Sequence, residues 1–338
     1  MSGTAAAAPV VGNMCDNFGR KPVLYWSVLS LLTSGVATCF ATTLIYFLTL
    51  RFIVSASVST VEITSYILLF ELATPAHRCL YSVIAVSAPT ITAPLLLSVA
   101  DLLAHEWVLT QVAVLLPTSL LLTTFVLTVE SPLWLVSTKE FKDAELALIQ
   151  AAQVNGISVN EAQRQWRNHN TRLYCPDGDT FRFPKSKWSD VINSDILRHR
   201  VVVLFWCWFF VILAYYNTVA IQSAAGCCGW LQVAEMPFEG IAHVLLYLSM
   251  TKLGRRTTLE VLFCVSSALA GMVAVVTMLQ PSSDLALPLG RGVDVINGMA
   301  ITVLCVYSTE LFPTILRCKG LCAAYFFGGV GGIVAPLL

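Results

Sequence analysis

Nine stretches of roughly 20 apolar residues run through this chain, and an apolar run of that length has few fates other than a helix that crosses a bilayer. They fall at about 23–41, 45–70, 79–100, 108–129, 200–217, 229–250, 257–279, 285–309 and 320–338. In hydrocarbon every backbone N–H and C=O has to be bonded internally, and a helix does so within a single segment. Residues 4–11 are apolar too, but eight residues cover about 12 Å of helix and cannot cross; they read as the stub of another one. Only 12% of the 338 residues are charged, where soluble domains carry about 25%. A water-facing surface cannot be covered with so few charges. The 57% hydrophobic content excludes disorder, and a net charge of zero with no basic stripe excludes a nucleic-acid partner. The expected fold class is an all-α polytopic membrane protein whose first partner is the lipid bilayer.

The positions of Lys and Arg set the sidedness. Arg20 and Lys21 precede the first full span, Arg78 follows the second, and ten more lie between Lys139 and Arg200. Lys252, Arg255 and Arg256 form a further group, and Arg317 with Lys319 the last. Eighteen of the twenty therefore sit on alternate connections, and the opposite connections have none. By this bias the segment 130–199 is cytoplasmic, with apolar helical spacing around Phe141–Gln150. The two remaining bases, Arg51 and Arg291, fall inside spans.

The two halves of the chain echo each other at an offset of about 235–240 residues. Gly19-Arg20-Lys21 returns as Gly254-Arg255-Arg256. Glu71, Pro75 and Arg78 return as Glu310, Pro313 and Arg317, and Arg51 returns as Arg291. Repeated halves in a helical membrane protein place a binding site between them. In the segment from Gly12 through Asp16 to Gly19-Arg20-Lys21-Pro22, the glycines suit a tight cytoplasmic turn. Asp16 suits a helix N-terminus, and Arg20 suits an ion pair with Glu71. Pairs at that mouth would have to break when it opens, which makes the set a candidate bistable latch.

Gly12-x3-Asp16-x2-Gly19-Arg20-Lys21-Pro22 resembles the signature loop of the major facilitator superfamily. Within it, Glu130-Ser131-Pro132-Leu133-Trp134-Leu135 is similar to the segment after the sixth helix in the organic cation, anion and carnitine transporters, solute carrier family 22. Phe141 to Gly156, Trp208-x6-Tyr215-Tyr216, Glu235-Met-Pro237 and Tyr307-x2-Glu310-Leu-Phe-Pro-Thr-x2-Arg317 are similar to that family as well. Sugar porters share some of these loops, but their glutamine-rich seventh-helix pattern is absent near Gln222. The resemblance implies two pseudo-symmetric helical bundles and transport of small organic ions by alternating access, in the plasma membrane. It makes 1–129 a partial N-terminal bundle with spans like helices two to six, 130–199 a cytoplasmic loop with short helices, and 200–338 a partial C-terminal bundle with spans like helices seven to eleven. Helix one, most of helix two and the last helix lack counterparts, so the chain reads as a fragment, with a non-transporting companion of a full-length carrier as the alternative.

Ionisable residues inside spans are costly, by about 2.5–3.5 kcal/mol each on insertion scales, and mark binding sites. The acids are Glu62, Glu235, Glu239 and Asp294. Arg291 and Asp294 are three apart and can pair on one helical face. The family's anion transporters have a Lys two residues after the proline corresponding to Pro237, where this chain has Glu239. Twelve residues after Arg317, where family members carry an Asp or an Arg, stands Gly329, and Gly328-x3-Gly332 reads as a helix-packing motif. The aromatic residues Trp208, Tyr215 and Tyr216 suit cation–π and stacking contacts. Candidate substrate residues are thus Glu62, Trp208, Tyr215, Tyr216, Glu239 and Asp294, with cations or zwitterions favoured over anions. His243 reads as a helix-packing hydrogen bond. The eleven Cys show no zinc spacing and no disulfide framework, Cys227-Cys228 being the one vicinal pair. No nucleophile-elbow, zinc-protease or phosphate-loop motif occurs, so neither an enzyme nor a cofactor is expected.

Overall fold

The computed structural model describes residues 1–103, 106–123, 125, 128–164, 166, 193–224, 229–279 and 286–337. Among them there are helices and no strands. In chain order they are α1 (Ser2–Phe18), α2 (Arg20–Cys39), α3 (Leu44–Leu72), α4 (Arg78–Leu103), α5 (Trp107–Ser119), α6 (Pro132–Ser137), α7 (Phe141–Val154), α8 (Asp195–Ala224), α9 (Gly229–Lys252), α10 (Arg255–Leu279), α11 (Ala286–Leu311) and α12 (Thr314–Val334).

Seven of these, α2, α3, α4, α8, α10, α11 and α12, are long and apolar enough to cross a membrane. The 24-residue α9 has the length as well. The stretch expected as a span at 108–129 forms a shorter apolar helix, Trp107–Thr123, whose end tightens into a 3-10 turn over Leu120–Thr123. Pro117 near that end supplies no backbone donor, which weakens the last α-helical turn. The expected stub is the core of α1, which runs unbroken through Gly12 and Asp16.

Local chemistry sets the helix ends. Gly19 (φ 94°) and Gly254 (φ 85°) both turn the chain through the left-handed region directly before an arginine that opens a helix. The Thr43 hydroxyl caps α3 on the Tyr46 N–H, and Ser131 caps α6 with Pro132 in its first turn. The Cys227-Cys228 pair lies outside the described residues, and the eight described cysteines are free thiols.

The N-terminal bundle is built on α1, α2, α3 and α5, and the C-terminal bundle on α8, α10, α11 and α12. The bundles meet where α1 packs on α12 and α4 on α9. The small residues of α12 allow the close approach. A side chain at Gly329 would lie 2.9 Å from the Ala5 Cβ, and one at Gly331 would lie 2.4 Å from the Phe209 carbonyl oxygen. Gly328 and Gly332 face Trp208 and Tyr216 in the same way, so this stripe packs α12 against α8 and α1 together. The opposite extreme is α10, whose Val261, Val265, Met272, Val275 and Met278 are exposed and await lipid.

Gly331→Val should therefore wreck the α8–α12 contact and leave little monodisperse protein in detergent by size-exclusion chromatography. Overpacking costs of about 1–3 kcal/mol are usual in tight cores. Gly271→Ala on α10, where a Cβ meets nothing within 4 Å, should leave the profile unchanged.

Candidate functional site

The charged residues that the repeat singles out gather at the Lys/Arg-rich end of the helices. Arg20, 1% exposed, is among the largest fully buried side chains of the protein. Its Nε lies 3.3 Å from the Glu71 Oε2. Its NH2 reaches the Asp16 Oδ1 at 3.8 Å, and its NH1 donates to the Cys15 carbonyl at 3.3 Å. From the other bundle, the Arg317 NH1 reaches the Glu71 Oε1 at 3.4 Å, while its Nε donates to the Thr309 carbonyl at 3.0 Å. Lys319 Nζ lies 3.3 Å from the Asp16 Oδ2. One buried carboxylate thus joins two guanidinium groups from opposite bundles, with a second bridge beside it. The Phe70 ring is stacked between Arg78 at 5.1 Å and Arg317 at 5.2 Å. Arg78 donates its Nε to the Ala73 carbonyl at 3.3 Å.

Two expectations are corrected here. Asp16 sits near the C-terminal end of α1, not at a helix N-terminus, and its carboxylate is held there by Arg20 and Lys319 instead of by a helix dipole. Gly12 is in the body of α1 and not in the turn; a side chain there would lie 3.2 Å from the Lys319 Cα, so its role is close approach to α12. Gly19 alone makes the turn.

The second half repeats the motif in a different setting. Arg255 pairs with Glu310 at 3.0 Å, but both side chains are about a third exposed. Arg256 pairs with Glu260 at the surface. Gly254 has open space around it.

Glu130 is the member that sequence reasoning left out of this cluster. Its two carboxylate oxygens accept the Arg20 and Lys21 backbone N–H groups at 3.0 Å each, and Oε1 also accepts the Ser131 N–H. A carboxylate on free N–H groups at a helix start is favourable in both hydrogen bonding and dipole. Lys21 lies over the Phe125 ring at 4.8 Å. Trp134 is buried, and its indole N–H donates to the Asp16 carbonyl at 3.2 Å, so it braces the Gly19 turn. No local pattern ties Glu130 to a turn 110 residues earlier. Beside this turn, a cavity of about 550 Å³ is lined by Phe18, Glu130, Trp134, Glu140 and Asp143.

The interior acids form a second region. Glu62 on α3 accepts a hydrogen bond from the Tyr325 hydroxyl on α12 at 3.0 Å, which joins the bundles near mid-depth. Cys305 Sγ on α11 lies 3.8 Å from the same hydroxyl. Glu62 keeps solvent exposure although helices of both bundles stand around it. Tyr216 on α8 lies within electrostatic reach of Glu62. Tyr215 lies within reach of Asp294, Glu239 and Arg291. The Thr218 hydroxyl, one turn beyond Tyr215, donates to the Asp294 carboxylate.

Trp208 is placed differently from expectation. It is 1% exposed, its indole N–H donates to the Ser308 hydroxyl at 3.0 Å, and its ring packs 4.8 Å from Tyr325. It belongs to the core, packed behind Tyr325, which is itself buried. His243 is buried with its Nδ1 2.9 Å from the Glu239 carbonyl, a packing contact within α9. The Glu235 side chain lies outside the described residues.

The model of the Major Facilitator Superfamily matches residues 1–336. Organic anion transporter 3 of Mus musculus is 29% identical over 348 aligned positions, covering 100% of this chain and 62% of that protein. The organic cation transporter protein of Drosophila melanogaster is 26% identical, with 100% and 62% covered. The chain thus spans about three-fifths of the length of these relatives. Among solved structures, the proton:xylose symporter XylE bound to 6-bromo-6-deoxy-D-glucose has a TM-score of 0.74 at 16% identity, covering 98% of this chain and 75% of that one. The human organic anion transporter MFSD10 (TETRAN) has a TM-score of 0.67 at 16% identity, covering 99% and 74%. At such identities these likenesses show the fold.

The ion-pair geometry generates a labelling prediction. Glu71→Gln leaves Arg317 buried without its counter-charge and Arg20 with Asp16 alone, a loss of about 3–5 kcal/mol for a broken buried pair. Cys15 and Cys318, both 0% exposed at this junction, should then react with a permeant maleimide at least about tenfold faster. Glu310→Gln breaks a part-exposed pair worth about 0–1 kcal/mol and should leave the rate nearly unchanged.

Proposed function

Because the chain belongs to the major facilitator superfamily, we propose that it carries small organic ions across the membrane by alternating access, with organic cations or zwitterions preferred to anions. It is a multi-pass membrane protein and not an enzyme, and we place it in the plasma membrane with the segment 130–199 on the cytoplasmic side. The relatives are named for anions and for cations alike, so the charge of the interior has to decide. The observation that carries the reading is Glu62. Among the described residues its carboxylate has a hydroxyl partner and no cationic one, and it keeps solvent exposure where α3 meets α12. Glu239 and Asp294 add acid around Tyr215, with Arg291 as the base near them. Tyr215 and Tyr216 supply aromatic faces for an ammonium or a flat organic ion.

The latch fits alternating access. Arg317–Glu71 and Lys319–Asp16 hold the cytoplasmic ends of the bundles together, so opening that mouth has to separate them. We infer that residues 1–129 and 200–338 are the two halves that rock against each other, with α6 and α7 of the 130–199 segment as the brace.

The test is uptake into proteoliposomes holding the purified protein. Tetraethylammonium should enter saturably and hippurate should not compete. Glu62→Gln should lower tetraethylammonium uptake by about tenfold or more, the effect of losing about 1.4 kcal/mol of binding. Hippurate uptake without tetraethylammonium uptake would reverse the charge preference.

A further inference from the structure

We propose that the thiols of Cys15 and Cys318 form a redox lock: a hydroperoxide joins them as a disulfide that ties the two bundles together at their Lys/Arg-rich end and stops alternation. The link itself rests on the packing, and its effect on uptake rests on the alternating-access reading above.

Cys15 lies on α1 of the N-terminal bundle and Cys318 on α12 of the C-terminal bundle, and both are 0% exposed. The two thiols are within hydrogen-bonding reach of each other. Cys15 Sγ also lies 3.6 Å from the Thr64 hydroxyl, and Cys318 has a second thiol neighbour in Cys322, one turn along α12. At this level the helices come close enough for a covalent bond. Almost one turn before Cys15, a side chain at Gly12 would lie 3.2 Å from the Lys319 Cα and 3.4 Å from the Cys322 Cβ. A disulfide spans Cα atoms about 4.4–6.8 Å apart, and backbones in such contact fall in that range. The next residues along, Asp16 and Lys319, form the cross-bundle ion pair at 3.3 Å. The thiol pair therefore sits directly behind the latch, and the motion that parts Lys319 from Asp16 parts the sulfurs as well. Cys305 and Cys39 are placed otherwise, one against the Tyr325 hydroxyl and the other on the Gly35 carbonyl of its own helix.

The chemistry divides between the two conformations. With the mouth open, water and hydrogen peroxide reach Cys15. Its sulfur attacks one peroxide oxygen, the O–O bond breaks, and the departing hydroxide takes the thiol proton, giving water and a Cys15 sulfenic acid. Closure returns Cys318 to that sulfur. The Cys318 sulfur then displaces the hydroxyl, which leaves with the Cys318 proton as a second water, and the S–S bond forms. The two thiols have lost two electrons and the peroxide has gained them. On the cytoplasmic side, where this end is placed above, thiols are kept reduced, so the bond forms when peroxide rises and a dithiol removes it by exchange. While it lasts, the mouth stays shut whatever the latch charges do.

The experiment uses the purified protein in proteoliposomes, treated with hydrogen peroxide, blocked with N-ethylmaleimide and digested with trypsin in the absence of reductant. Cleavage after Arg20, Arg317 and Lys319 puts Cys15, Cys318 and Cys322 on three separate peptides. Mass spectrometry should find the Met1–Arg20 peptide joined to Cys318-Lys319, and dithiothreitol should release it. Tetraethylammonium uptake should be lost in parallel and should return with dithiothreitol. Cys318→Ser, which keeps a small polar side chain, should retain its uptake under peroxide, and Cys322→Ser should still lock. A joined peptide with uptake unchanged would overturn the lock, as would equal loss of uptake in Cys318→Ser. Peroxide treatment of the unsubstituted protein that leaves the three peptides apart would overturn it whether or not the variants fold. Absence of uptake by the reduced protein would overturn the carrier reading, with the link then decided by the joined peptide alone.

Discussion

The Glu71 carboxylate lies fully buried between Arg20 of its own bundle and Arg317 of the other. Each guanidinium is itself almost inaccessible, so the three charges are tolerable only together. Removing the acid would strand the buried Arg317 and leave Arg20 with Asp16 alone, and removing either arginine would leave the acid half-compensated. The cation–π stack of Arg317 and Arg78 on Phe70, the Thr309 carbonyl on Arg317 and the Cys15 carbonyl on Arg20 add further contacts around them. The closed junction of α1, α3 and α12 at the Lys/Arg-rich end is built around this arrangement. Because the bridge spans two bundles, it has two natural states, made and broken, and few in between.

The repeat in the sequence is reproduced in the backbone but not in the energetics. Gly19 and Gly254 make the same left-handed turn before an arginine, and each arginine meets the glutamate of its own half. In the first half that pair is desolvated and joined from across the interface; in the second it is part-exposed and stays within its bundle. A desolvated pair is costly to break, whereas a solvated one contributes little. The two halves therefore carry the same motif with unequal stiffness, and the firm contact is the one that seals the bundles together.

Close approach of α12 to its neighbours sets the interior site. Gly328, Gly329, Gly331 and Gly332 let α12 sit against α8 and α1, which brings Tyr325 beside Trp208 on one side and Glu62 on the other. Trp208 is anchored by Ser308 and holds the tyrosine ring; the tyrosine hydroxyl holds the carboxylate. Larger residues in the stripe would push this chain of contacts apart. The packing glycines and the interior acid are thus parts of one structure, although they look unrelated along the chain.

Some of this was legible beforehand, and the reason is range. Hydrophobic run length, the one-sided Lys/Arg distribution, the glycine turns and the paired E…P…R elements are local patterns, so the sequence by itself determined the helical membrane fold, its twofold repeat and the gathering of the bases at one end of the helices. It also brought out Arg20 and Glu71 as a pair and Arg317 as a charge needing a partner. Only the tertiary structure decided the long-range partners. Arg317 meets Glu71 from 246 residues away, Tyr325 meets Glu62 from 263, and Glu130 caps a helix start 110 residues earlier. It likewise moved Gly12 from a turn to a helix contact and Trp208 from an open space to the core. Periodicity and composition act over a few turns of helix, whereas these contacts depend on how two bundles pack, a geometry fixed by side-chain volumes summed over the whole interface.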